Sequence, residues 1–404
     1  MSLPAPDPDA LAHSRRLTQH IAGEIAAAGG WIDFARFMAL ALYAPGLGYY
    51  SGGARKFGAA GDFVTAPEMT PAFAQTLATQ AAQVLAASAP HILEAGAGSG
   101  RLAADLLQEL ERRGALPDSY AILELSGELR ERQRETLAAA VPHLVDRVRW
   151  FDRLPERFDG LVLANELLDA LPVHLVRWTD DAILERGVSL AEEATNVAAE
   201  ANMPRQQAHP FASFVWQERP ASGAVLTRAQ ALAGEGVPGG GYLSEIGLAA
   251  AAWTASWADL LGRGALLLID YGFPRREFYH PQRSEGTLMC HYRHHAHTDP
   301  FYLPGLQDIT AHVDFTAIAE AGTEAGLDFL GYTTQAAFLF NCGLTEVMAR
   351  TPADDARRYL PLAGAAQKLI SPAEMGELFK VIALGRGIDE PLVGFLAGER
   401  SATL

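Results

Sequence analysis

The chain has 404 residues, more than one core of ordinary size takes up, so a large domain with an appended or inserted lobe is expected. Hydrophobic residues at 49% and charged residues at 20% exclude wholesale disorder, and a net charge of −16 argues against a nucleic-acid partner, whose phosphates need a basic face. Cys290 and Cys342, with no CxxC spacing, exclude a disulfide framework and a cysteine-held zinc and point to a reducing compartment.

The N-terminus has no apolar core of the kind a secretory signal carries, and no run reaches the ~18 apolar residues that span a bilayer. A cytoplasmic protein without membrane insertion is the expectation. The basic pairs Arg55–Lys56 and Arg275–Arg276 read as solvated surface.

In chain order, Leu17, Ile21 and Ile25, then Phe34, Phe37, Met38 and Leu42, mark two helices broken at Gly29–Gly30. A stretch dense in glycine and aromatic residues follows, from Tyr43 to Pro71, too rich in glycine for regular structure. Its length and its aromatics fit an ordered functional loop. An alanine-rich helix then runs from Pro71 to Ala87.

From there strands and helices alternate. Strands are expected at 91–96, 120–126, 148–151, 160–167 and 264–272, with two more near the end in LDFLGYTTQ and FKVIALGRG. The first is followed by a helix over 102–114 that Gly114 stops. Strands this apolar, separated by helices, make a mostly parallel sheet covered on both faces. Two insertions interrupt it, about 172–245 and about 273–325. Both leave from carboxyl ends of strands, where open α/β sheets bind ligands, so they are expected to wall an acceptor pocket as a cap.

Glu94-Ala-Gly96-Ala-Gly98-Ser-Gly100 closes the first strand and opens its helix. Glycines there let a ligand approach the backbone at a helix N-terminus rich in free N–H groups. A dinucleotide fingerprint wants a glycine where Arg101 stands, and no GK[ST] makes a P-loop. Glu94 would repel a pyrophosphate and attract a cationic head or a sulfonium. About thirty residues on, Glu124 is placed to accept hydrogen bonds from ribose hydroxyls. Adenosine plus positive charge is S-adenosylmethionine. Trp150 and Phe151 are candidates to stack the adenine, or simply core.

The motifs LGYY (47–50), GDFVTAPE (61–68), LEAGAGSG (93–100), LELS (123–126), LANELLDALPV (163–173), IDYG (269–272), GTLMCHYRH (286–294) and DITAHVDFT (308–316) together resemble the MidA-like S-adenosylmethionine-dependent methyltransferases. Eukaryotic members of that family are mitochondrial complex I assembly factors that methylate an arginine of a core subunit. The resemblance covers nearly the whole chain. It implies a class I methyltransferase fold, Rossmann-like, with a seven-stranded mostly parallel sheet and an N-terminal helical lobe over residues 1–87. The cofactor-binding domain would occupy 88–404.

By the same resemblance, Gly96, Gly98 and Gly100 would form the cofactor loop, and Glu124, with Ser126, would hold the ribose side. Gly61, Asp62, Thr65, Pro67 and Glu68 would fold over the cofactor mouth. Asn165 and Glu166 would lie beside the acceptor. An arginine acceptor is a poor nucleophile, and carboxylates that grip a guanidinium can localise its charge on one nitrogen and free the other to attack. Glu166 is the first candidate, with Asp169 and Glu68 as partners; Asp169 also reads as a helix-surface acid.

His291, His294, His295, His297 and His312 match no standard zinc spacing, so no metal is expected. Tyr292 and His294 read either as acceptor-pocket lining, with a histidine to take the released proton, or as a structural loop. Three activities stay open: a protein arginine methyltransferase, a small-molecule O- or N-methyltransferase, and a non-catalytic assembly factor that binds the cofactor for its shape. An NAD-dependent oxidoreductase is the weakest contender. The implied partner is a protein substrate such as a complex I subunit, and the oligomeric state stays open, a homodimer among the options.

Overall fold

The computed structural model describes residues 3–52, 65–191 and 213–404. Two compact units emerge, one from Met1–Ala54, Pro172–Leu248 and Tyr279–Ala311, the other from Arg55–Leu171, Ala249–Phe278 and His312–Leu404. This differs from the division expected after residue 87. The N-terminal helices gather with both insertions, while the alanine-rich helix belongs with the sheet, because its apolar stripe is covered there.

In the first unit, helix α1 (Pro8–Ala27) starts where Asp7 accepts the Ala10 N–H at 2.8 Å, and α2 (Phe34–Tyr43) where Asp33 accepts that of Arg36 at 2.7 Å. Leu17, Ile21, Ile25, Phe34, Phe37 and Met38, picked out by helical spacing, are fully buried. The first insertion contributes His174–Trp178, Ile183–Leu190, Phe214–Pro220 and Tyr242–Ile246 to a five-stranded antiparallel sheet that Ile32–Asp33 joins. Asp33, His174 and Glu185 meet on it, the His174 Nδ1 lying 2.7 Å from Glu185 Oε1. The second insertion makes a three-stranded sheet, Met289–Tyr292, His295–His297 and Asp308–Thr310.

The second unit is built on strands β1 (His91–Ala95), β2 (Ser119–Leu123), β3 (Val148–Phe151), β4 (Phe158–Asn165), β5 (Leu261–Phe273), β6 (Asp328–Thr334) and β7 (Phe379–Arg386). Their order across the sheet is β3-β2-β1-β4-β5-β7-β6, and Val313–Asp314 adds a short eighth strand beside the end of β5. The first five are mutually parallel, and β7 runs antiparallel to both neighbours. The mostly parallel class I sheet is therefore present.

Helices α3 (Ala66–Met69), α4 (Ala72–Ala87) and α5 (Arg101–Arg112) precede and follow β1, and α6 (Gly127–Ala140) follows β2. Ala78, Ala81, Leu102, Leu106, Leu110, Ile92 and Leu163 pack into one core on one side of the sheet, and Leu93, Val162, Trp257, Leu266 and Leu268 into another on the opposite side. Period-two alternation along β1 and β4 divides their side chains between the two.

Arg275 corrects one surface reading. Its guanidinium is paired with both oxygens of Glu320 and lies 3.6 Å from Asp314, with the side chain 14% exposed. Arg55 and Lys56 lie outside the described residues. Among the described residues no helix is long and apolar enough to cross a membrane.

Candidate active site

Two stretches at the carboxyl ends of β1, β2, β4 and β5 make the site, and both belong to the second unit. The first is the glycine loop between β1 and α5. Gly96, Gly98 and Gly100 have φ of 71°, 53° and 81°, the left-handed region that side chains rarely adopt. Three such residues within five bend the chain sharply and bare its backbone ahead of the α5 N-terminus.

Gln133 of α6 locks this loop to the neighbouring strands. Its Nε2 donates to the Gly98 carbonyl at 3.0 Å and to Glu124 Oε2 at 3.1 Å, and its Oε1 accepts the Trp150 indole N–H at 2.9 Å. Nothing in the sequence singled it out: it is one polar residue on a charged helix. The fold buries it fully. Trp150, a candidate for the adenine face, donates its indole N–H to Gln133 and has the Arg134 guanidinium 4.7 Å above its ring.

Glu124 lies just past β2 and is 8% exposed, with Oε1 accepting the Ser126 N–H at 2.8 Å. Burial raises its pKa, while the bonds from Ser126 and Gln133 pull it back down. Ser126 serves as the α6 cap, its Oγ accepting the Leu129 N–H at 3.3 Å. Between them Leu125 is 74% exposed, apolar surface of the kind a purine ring covers. A bared loop, an acid at the end of β2 and an exposed leucine fit an adenosyl ligand.

Glu94 is enclosed rather than exposed to the loop. It is 2% exposed within β1, its Oε2 accepting the Tyr120 hydroxyl at 2.7 Å, and burial pushes its pKa up to about 7. Its charge beside the loop is therefore only partial at neutral pH. Because the folded pKa lies above the unfolded one, its contribution to stability is complete below about pH 4.5 and is lost as pH rises through 7. Chemical denaturation should show stability falling by on the order of 3 kcal/mol between pH 5 and 8. Glu94→Gln keeps an acceptor for Tyr120 and should flatten that slope; an unchanged slope would assign it to other groups.

Glu68, expected over the cofactor mouth and as a partner of Glu166, lies against the glycine loop. It sits in α3, and its Oε1 accepts the Ser99 hydroxyl of the glycine loop. It therefore braces the glycine loop. Thr65 precedes α3 and Pro67 is buried within it. Gly61 and Asp62 lie outside the described residues.

The second stretch is the turn after β4. Glu166 has φ of 52°, in a region that costs a residue with a Cβ about 1–2 kcal/mol. Its N–H bonds the Ile269 carbonyl at 2.9 Å, and its Oε1 accepts from Asn165 Nδ2 at 3.2 Å. Strain held at the end of a central strand is a mark of functional positions. Asn165 Oδ1 is buried without a partner among the described residues. A Cβ on Gly96 would come to 3.0 Å from Leu167 Cδ1, so the glycine loop and this turn touch.

Beneath the turn, Asp270 accepts the N–H groups of Leu168 at 2.8 Å, Asp169 at 3.2 Å and Tyr271 at 2.9 Å. Asp169 is not on a helix surface: it lies in the turn, 6% exposed, with the Tyr271 hydroxyl donating to its Oδ2 at 2.6 Å. Burial raises both carboxyls, Asp270 the further because Asp169 and Glu166 lie near it. His312 stands edge-on to Tyr271 at 5.1 Å and stacks on Phe273 at 5.3 Å.

With Arg293, His294 forms the exposed tip of a hairpin in the first unit, both residues left-handed (φ 48° and 63°), as a tight two-residue turn requires. Tyr292 is buried, edge-on to Tyr302.

A profile of S-adenosyl-L-methionine-dependent methyltransferases matches residues 73–333. Protein arginine methyltransferase NDUFAF7, mitochondrial, of Danio rerio is 27% identical over 395 residues, covering 91% of this chain and 86% of its own. Its Homo sapiens counterpart is 27% identical over 384 residues, covering 88% and 80%. Among solved structures, a protein from Burkholderia thailandensis bound to S-adenosyl-homocysteine is 54% identical over 100% of both chains, with a TM-score of 0.92. The chain belongs to the MidA-like family of S-adenosyl-L-methionine-dependent methyltransferases, and S-adenosyl-L-methionine is its cofactor.

Proposed function

We propose that this methyltransferase acts on an arginine side chain of a partner protein, a respiratory complex I subunit or a protein like it. The observation that carries this reading is the strained Glu166 in a carboxylate-rich turn against the cofactor loop. Asp169 and Asp270 are buried there with no ion pair to a lysine or arginine among the described residues. Such a turn suits a planar cation. A guanidinium could bond Glu166, and the charge drawn to that side leaves its other nitrogen the better nucleophile. The names of the curated relatives, protein arginine methyltransferases, favour the same acceptor.

When bound, the cofactor supplies a methyl group on a sulfonium: the nitrogen lone pair forms the N–C bond as the S–C bond breaks and its electrons leave with sulfur. This chain's share is alignment and charge. Asn165 fixes Glu166, the Ile269 carbonyl fixes its backbone, and Gln133 holds the cofactor loop to Glu124. The proposal includes a cytoplasmic setting, in keeping with two buried, unpaired cysteines.

The test is methyl transfer from labelled cofactor into an extract of the source organism lacking this gene, separated by size. Label in the protein precipitate is expected. Label confined to small molecules would turn the reading to a small-molecule methyltransferase, and no turnover despite cofactor binding to a non-catalytic assembly factor.

A further inference from the structure

In the first unit three strands bring one imidazole and two carboxylates together, the only group of this kind among the described residues. Along one edge of Ile183–Leu190, His174–Trp178 pairs residues 183–186 and Ile32–Asp33 pairs residues 187–188, so these two strands meet end to end. Phe214–Pro220 takes the opposite edge. Asp33, His174 and Glu185 flank the junction, with one donor atom of each within 4.8 Å of the other two. They stand too far apart in the chain for any spacing motif to announce them.

The charge of this group is not balanced by its surroundings. His174 Nδ1 lies 2.7 Å from Glu185 Oε1, and Asp33 Oδ1 accepts the Arg36 N–H at 2.7 Å. Asp33 Oδ2 and Glu185 Oε2 accept no hydrogen bond among the described residues. The arginines of the same elements are engaged elsewhere. Arg36 pairs with Glu24, Arg177 and Arg186 pair with Glu218, and Arg219, opposite Glu185 in the ladder, lies over the Trp31 ring. Glu185 is only 7% exposed, and a second carboxylate beside it repels its charge. A protonated imidazole would offset one of the two negative charges; a divalent cation offsets both.

We infer that Asp33, His174 and Glu185 bind one divalent transition-metal ion, zinc matching them best, which pins Ile32–Asp33 and the start of α2 to the sheet. An imidazole among the donors favours zinc over magnesium and calcium, which take oxygen ligands. Three protein ligands leave a fourth position for water. Two ligands of a tetrahedral zinc ion stand about 3.4 Å apart, so side-chain shifts of roughly 1 Å bring the three donors into place. The His174 side chain is 20% exposed and Asp33 is partly exposed, which gives an ion its way in. This site is independent of the arginine reading above.

The test titrates full-length, chelator-stripped protein with zinc chloride and, separately, with magnesium chloride, by calorimetry. One zinc ion per chain with a Kd of about 10 µM or tighter is expected, and magnesium should bind at least about a hundredfold more weakly. Zinc at about a hundred times its Kd should raise the melting temperature by roughly 5 °C. Asp33→Asn, which keeps the α2 cap, and Glu185→Gln, which keeps an acceptor for His174, should each lose at least about a hundredfold in zinc affinity. Cobalt in place of zinc reads the coordination in wild type alone, through the visible absorption of a four-coordinate ion. A wild type that binds no zinc, or binds magnesium as tightly, would overturn the proposal. So would a zinc affinity that survives both substitutions and falls when His294 is replaced by Asn and His295 by Gln, since the ion would then belong to the histidine-rich hairpin.

Discussion

Glu166→Gln should bind S-adenosyl-homocysteine as wild type does, within about twofold, and lose about 30- to 3,000-fold in turnover. Its backbone bond to Ile269 and its left-handed φ do not depend on the side-chain charge, and glutamine still accepts from Asn165, so the turn keeps its shape. What disappears is the negative charge a guanidinium would face. Truncating one side of a desolvated charge pair costs about 2–5 kcal/mol, and every ~1.4 kcal/mol is tenfold in rate. Calorimetry and initial rates with extract protein measure the two effects separately. Unimpaired turnover would remove Glu166 from the chemistry and leave its strain unexplained. A Glu166→Gly variant, which relieves the strain, separates charge from backbone: it should fold at least as stably as wild type and be as inactive as the glutamine variant.

Gly98→Val should lose at least about a hundredfold in cofactor affinity. Gly98 has φ of 53°, and a β-branched residue there is a steric outlier. The strain is on the order of 1–3 kcal/mol, and the side chain would add bulk to a backbone that the ligand must approach. The Gly98 carbonyl also receives Gln133, which in turn holds Glu124, so a shifted loop disturbs the acid at the end of β2 as well. Calorimetric titration with S-adenosyl-homocysteine measures the loss, and a circular-dichroism melt checks that the sheet has survived. Gly98→Ala, with less bulk, should fall between the two. Full affinity in the valine variant would mean that this loop does not take the cofactor.

The sheet was readable because its strands are short, apolar and separated by helices. Those expected at 91–96, 148–151, 160–167 and 264–272 lie within a few residues of where they form. Turn chemistry at Gly96, Gly98 and Gly100 was equally plain, since tandem glycines at a strand end have few other uses. Less legible was anything set by packing across long sequence distances. Glu94 was taken for a charged neighbour of the ligand because its position fits; only the fold shows it enclosed with Tyr120. Glu68 and Glu166 are both acids in family motifs, yet the chain carries one to Ser99 and the other to Asn165. Gln133 left no trace in the sequence, and a loop crowded with histidines does not disclose the left-handed turn that Arg293 and His294 form.

The most direct measurement is the identity of the methylated residue. Protein labelled by the wild-type enzyme in extract lacking this gene would be hydrolysed completely and its amino acids separated against methylated standards. Label in an ω-N-methylated arginine is the expected result, with none formed by Glu166→Gln. Label in methyl-lysine, in a base-labile methyl ester or in no amino acid at all would contradict an arginine acceptor and reassign the carboxylates of this turn.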